Sequence, residues 1–125
     1  MNPIPRGVRE MPPNDNNQGW MKRVNVFTAK GTEQVNIRVW EYPDGRPCEI
    51  YLSTSKQNTQ TDQFLRELGK DWSRLLQYGV DICDLIHALT KEPGPLGGST
   101  DTMGDCLSVQ DLVGKALKVR YCPKD

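Results

Sequence analysis

Two stretches of strict alternation, set either side of one turn, limit what this chain can fold into. Val35, Ile37 and Val39 share one face of an extended segment, and Asn36, Arg38 and Trp40 share the other. Over residues 48–53, Cys48, Ile50 and Leu52 repeat the same phase. Between them lies Tyr42-Pro43-Asp44-Gly45-Arg46-Pro47. Asp44-Gly45 favours a tight turn with Gly45 at positive φ, and the flanking prolines limit the ladder. Residues 23–28 alternate in the same way, so the spacing predicts a three-stranded antiparallel meander. One face of such a sheet needs cover.

The cover comes from a change of period. Phe64, Leu65, Leu68, Trp72, Leu75 and Leu76 recur at helical spacing, predicting a first helix over about residues 61–78. Thr59 and Asp62 form a capping-box pair before it, and Gly79 suits a left-handed stop after it. Asp81 caps a second helix with Ile82, Leu85, Ile86 and Leu89 inside, ending before Pro93. Residues 92–98, rich in Pro and Gly, read as a loop that is neither helix nor central strand. A third helix begins near Ser108, with Asp111 at the capping-box position and Val109, Leu112, Val113, Ala116 and Leu117 in phase. The expected fold is α+β in the order β-β-β-α-α-α, with the helices on one face of a three-stranded antiparallel sheet. The 125 residues suit one domain, residues 22–121, between a Pro/Asn-rich N-terminal tail, 1–21, and a short C-terminal tail, 122–125. Trp20 is the tail's anchor, packed on its own domain or plugged into a partner.

Sixteen Lys and Arg balance sixteen Asp and Glu, which argues against nucleic acid as a bulk partner. Cys48, Cys83, Cys106 and Cys122 lie far apart with no C-x-x-C pair, and His87 is the single histidine, so neither a metal site nor a disulfide framework is expected. Cys106 and Cys122 fall at opposite ends of the third helix, too far apart to bond. The chain shows no apolar leader after Met1 and no membrane-length apolar run, which together predict a cytoplasmic protein with reduced thiols. Cys83 and His87 stand one helical turn apart, but a thiol–imidazole pair without an oxyanion donor reads as a core cysteine beside a partly buried histidine. Glu67, Lys70, Asp71 and Arg74 read as a solvated helix face. The glycines of residues 94–98 match neither phosphate-loop pattern, although Gly98-Ser99-Thr100 leads towards a helix start. No catalytic residue, cofactor or metal is expected.

The stretch from Tyr42 to Tyr51, with its Asp44-Gly45-Arg46-Pro47 core and Glu49-Ile50-Tyr51 end, resembles the TSCPD domain near the C-terminus of adenosylcobalamin-dependent, class II ribonucleotide reductases. Leu76-Gln77-Tyr78-Gly79-Val80 is similar to that family's helix end. Glu92-Pro93-Gly94-Pro95-Leu96-Gly97-Gly98 is similar to its E-P-x-G-P-V-x-G loop, a residue shorter. The likeness covers roughly residues 23–121 in the same order. The name-giving Thr-Ser-Cys-Pro-Asp run is reduced to the Cys of Asp105-Cys106-Leu107-Ser108, and neither the catalytic barrel nor a redox C-x-x-C is in the sequence. The resemblance therefore implies a free-standing, non-catalytic accessory or protein-binding module linked to deoxynucleotide or DNA metabolism, acting on a nucleotide-metabolism enzyme. A nucleotide- or metal-binding regulator, and a self-assembling structural or virus-encoded protein, stand as alternatives. A homodimer through exposed strand edges belongs with the last. Candidate partner or ligand residues are Trp20, Trp40, Arg46, Gly97, Gly98 and Ser99.

Overall fold

A computed structural model describes residues 8–13, 18–56, 59–90 and 92–123. The strand-rich half is β1 (Gly19–Thr28), β2 (Gly31–Glu41) and β3 (Pro47–Thr54), paired antiparallel. Val24, Val26, Val35, Ile37, Val39, Cys48, Ile50 and Leu52 are all buried, so the predicted phase of each strand holds. Gly45 sits at φ 95° and closes the β2–β3 turn, with its N–H donated to the Tyr42 carbonyl at 2.9 Å. Gly79 (φ 96°) ends α1 (Gln60–Gln77), where the Val80 N–H reaches back to the Leu75 carbonyl. Asp81 caps α2 (Ile82–Leu89), and Ser108 caps α3 (Val109–Tyr121).

The sheet has five strands and not three, in the order β3-β2-β1-β4-β5. The extra pair is β4 (Gly98–Thr100) and β5 (Asp105–Cys106), which corrects the loop reading of Gly98 and the strand count. Their residues carry little β propensity; what makes them strands is pairing. Asp101 continues β1's hydrogen bonding: its carboxylate accepts from the Asn25 backbone N–H at 3.1 Å and from Asn25 Nδ2 at 3.0 Å. β1 begins at Gly19, so Gly19, Trp20 and Met21 of the expected tail lie in the sheet. Glu10 of the same stretch is bound too, its N–H donating to the Gln77 carbonyl at 2.8 Å. The readings of Pro3, Pro5 and residues 14–17 as tail lie outside the described residues.

Trp72 is buried, as its place in the stripe predicts, with Leu65 and Leu76. Phe64 and Leu75, assigned to the same stripe, point outward. The positions they were expected to share are taken by Asp62, Gly69 and Gln77, all buried. These three explain how α1 meets β3, which is an edge strand. Asp62 Oδ1 accepts from Thr54 N–H at 2.8 Å, Ser73 Oγ accepts from Ile50 N–H at 2.8 Å, and Gln77 Nε2 donates to the Cys48 carbonyl at 2.9 Å. A Cβ on Gly69 would stand 2.7 Å from the Ile50 carbonyl oxygen. α1 therefore satisfies the backbone groups that an edge strand otherwise offers to another chain.

Candidate docking face and its surroundings

With the helices on the inner side, the alternate residues of β1, β2 and β3 form an outer face. The register sets them in rows: Gly19, Trp40 and Glu49; then Met21, Arg38 and Tyr51; then Arg23, Asn36 and Ser53. Further along, Phe27 pairs with Ser99 of β4. Met21, Phe27 and Tyr51 are 51%, 48% and 40% exposed, a large apolar outlay on one surface. Arg38 lies over the Trp40 ring, its guanidinium carbon 4.6 Å from the centroid, and Arg66 of α1 lies over Tyr51 at 5.3 Å. Arg66 is held by Asp62, whose Oδ2 it meets at 2.8 Å. Arg23 and Arg38 have no carboxylate within ion-pair distance among the described residues. Beside Arg23, Asn36 donates to Ser53 Oγ at 3.4 Å, and its buried Oδ1 meets no donor among the described residues.

Of the residues expected to form a partner surface, this face holds two, Trp40 and Ser99. Trp20 is on the opposite side of the sheet, packed against the core, and its Nε1 donates to Tyr121 Oη at 2.9 Å. The packing of Trp20 on its own domain is thus the arrangement found. Arg46 is engaged at the hairpin tip. Both its terminal nitrogens meet the Glu10 carboxylate at 3.0 Å, its Nε meets Asp44 at 2.7 Å, and it lies over Tyr42. Gly98 is paired with Cys106 in the small β4–β5 hairpin. Gly97 lines a separate cleft of about 520 Å³ with Lys30, Lys56, Thr28, Thr59 and Thr61.

Sequence reasoning passed over Met21, Arg23, Tyr51 and Phe27 as a surface. The signal was present, since a strand whose inward phase is known fixes its outward phase too. It also passed over a buried polar knot. Glu41, 4% exposed, accepts from Tyr121 Oη at 2.6 Å and from Arg120 Nε at 3.1 Å. Burial pushes its carboxyl up, but the hydrogen bonds from Arg120 and Tyr121 outweigh this and hold it below the usual range.

The cysteines depart from expectation. Cys83 and Cys122 form a disulfide across the start of α2 and the end of α3, with Cα atoms 5.9 Å apart. This corrects the reading of four reduced thiols, and of Cys122 as the most reactive. It also removes Cys83 as a partner for His87, which is exposed rather than half-buried. Cys48 and Cys106 are buried thiols outside the disulfide. Burial pushes the Cys48 thiol up to about 11 and raises Cys106 too, so neither is a ready nucleophile at neutral pH. Among the described residues no three His, Cys, Asp or Glu side chains gather as a metal site, and no helix is long and apolar enough to cross a membrane.

Comparison with known proteins adds a lineage. The model of the TSCPD domain matches residues 9–121. The vitamin B12-dependent ribonucleotide reductase of Bradyrhizobium diazoefficiens is 31% identical over 122 residues, and that of Agrobacterium fabrum 29% over 116. The alignments cover 94% and 90% of this chain but only 9% of each relative. No solved structure gives a significant match.

Proposed function

Because the chain belongs to the TSCPD domain family, we propose that it is a non-catalytic accessory module that docks a protein partner on the outer face of its sheet. The partner is a nucleotide-metabolism enzyme, in the first place a ribonucleotide reductase, and the setting is the cytoplasm, where the Cys83–Cys122 bridge is an exception to the reduced thiols usual there. The observation that carries this reading is the make-up of that face. Trp40, Tyr51, Phe27, Met21, Arg23 and Arg38 are the residue types that concentrate at the centre of protein interfaces. Here they are gathered on one surface that, among the described residues, helices touch only at its edge, where Arg66 of α1 lies over Tyr51. Deoxynucleotide metabolism enters through the relatives, whose names record a reductase. Docking by strand addition at β3 is disfavoured, because α1 already uses the edge groups of that strand. The test is affinity capture from a native extract on the wild-type chain and on a Trp40→Ala/Tyr51→Ala double variant. Capture of a reductase or another nucleotide-metabolism enzyme by the wild type, lost in the variant, supports the reading. Equal capture by both, or no such enzyme, sinks it.

A second reading rests on the cleft between the β1–β2 turn, the start of α1 and Gly97. Lys30, Lys56 and its threonines offer donors to a phosphate, although Lys56 also lies 3.7 Å from Glu33. A thermal-shift screen against nucleotides decides it: no shift with any nucleotide removes it.

A further inference from the structure

The docking reading leaves the chemistry of the partner open, and the outer face narrows it. The inference rests on that reading and concerns the same surface. Arg38 and Met21 are directly paired, and Arg23 is two residues along β1 from Met21, so the two arginines are diagonal neighbours on adjacent strands. Such neighbours stand about 7–8 Å apart. Side chains two residues apart on an extended segment are separated by about 7 Å. The two spacings match. Neither arginine has a carboxylate of its own among the described residues, whereas Arg66 and Arg120 are each held by one and Arg46 by two. The stacking of Arg38 on Trp40 holds its guanidinium in place, so less side-chain freedom is lost when it meets an anion. On either side, Trp40, Tyr51 and Met21 offer apolar contact.

We propose that the outer face binds an extended acidic segment of the partner protein. Carboxylates at positions i and i+2 of that segment meet Arg38 and Arg23, and flanking aromatic or aliphatic side chains lie on Trp40, Tyr51 and Met21. A nucleic-acid strand is the less favoured anion. Glu49 stands in the row of Trp40, and Asp101 lies at the far end beside Asn25, so a continuous phosphate backbone meets repulsion at both ends.

A randomised peptide library displayed on phage and selected on the chain of residues 1–125 tests this. The expected winners carry Asp or Glu two residues apart beside apolar residues. Binding of a selected synthetic peptide, read by fluorescence anisotropy, should weaken at least tenfold in Arg23→Gln/Arg38→Gln and should fall with added salt in the wild type alone. Circular dichroism confirms that the variant is folded, and these surface changes leave the core untouched. Winners without acidic residues, no winners, or unchanged binding by the double-glutamine variant overturn the proposal. So does tighter binding of single-stranded oligothymidylate than of any selected peptide. If Trp40→Ala abolishes binding while the arginine variant retains it, the docking reading stands and the acidic partner falls.

Discussion

At the scale of single residues, Gly45 and the cysteines show two ways in which a sequence speaks. Gly45 is legible because its role is local: a turn between two strands needs a left-handed residue, and φ 95° is what the backbone adopts. A Cβ there meets nothing within 4 Å, so the cost of Gly45→Val is backbone conformation alone. We expect a loss of about 1–3 kcal/mol, read from the urea midpoint. An unchanged midpoint would show that the turn tolerates a β-branched residue. The disulfide is illegible for the opposite reason. Cys83 and Cys122 are separated by 39 positions and meet only because α2 and α3 pack with the start of one against the end of the other. A close approach supports that packing, since a Cβ on Gly114 would reach Leu89 and Thr90. Alkylation of the unfolded chain without reductant should therefore label Cys48 and Cys106 alone, and all four after reduction. Four labels before reduction would show the bridge to be absent.

At the scale of elements, the three long strands and three helices follow from periodicity, while β4 and β5 do not. A strand of three residues starting at a glycine has no pattern to find; it exists because Val26 and Phe27 offer a free ladder and Asp101 clamps its end. α1 was legible as a helix with Leu65, Trp72 and Leu76 inside, but the polar side on which it meets β3 was not. Counting apolar residues puts Phe64 and Leu75 inside, whereas the helix turns Asp62, Gly69, Ser73 and Gln77 towards the strand edge. A hydrophobic count cannot see that an edge strand needs donors and acceptors more than it needs methyl groups. The same limit applied to the docking face, where the outward phase of the strands was readable but two of six expected residues fell on it. Gly69→Ala tests the orientation of α1. Alanine favours a helix over glycine by about 1 kcal/mol. Here its methyl group would meet the Ile50 carbonyl, a backbone atom that cannot turn aside. We expect the clash to win, with a net loss of up to about 2 kcal/mol in denaturant unfolding. A gain in stability would mean that α1 stands further from β3.

At the scale of the whole molecule, the ends of the domain are joined by one ionic knot. Glu41 ends β2, Trp20 is the second residue of β1, and Arg120 and Tyr121 end α3, next to the bridged Cys122. Tyr121 links the two sides, accepting from Trp20 Nε1 and donating to Glu41 Oε2. The knot therefore ties the last helix to the sheet on the side away from the docking face. Its dependence on pH follows from the direction of the Glu41 shift. The net effect of its partners holds the folded carboxyl below its ordinary value of 4.5. A group depressed on folding contributes stability that is fully present above its unfolded pKa and is lost as pH falls through the folded one. Glu41→Gln removes the charge while keeping the shape. At pH 7 it should cost about 1–3 kcal/mol, towards the low end because Arg120 is half-exposed and screened by solvent. Below the unfolded value the wild-type advantage should shrink, and the two proteins should converge once acid has protonated Glu41 in the folded state. Urea unfolding of both at steps from pH 7 to pH 3 measures the gap directly. A gap that stays constant across that range would mean that Glu41 acts through shape and not through charge, and the knot would then contribute packing alone.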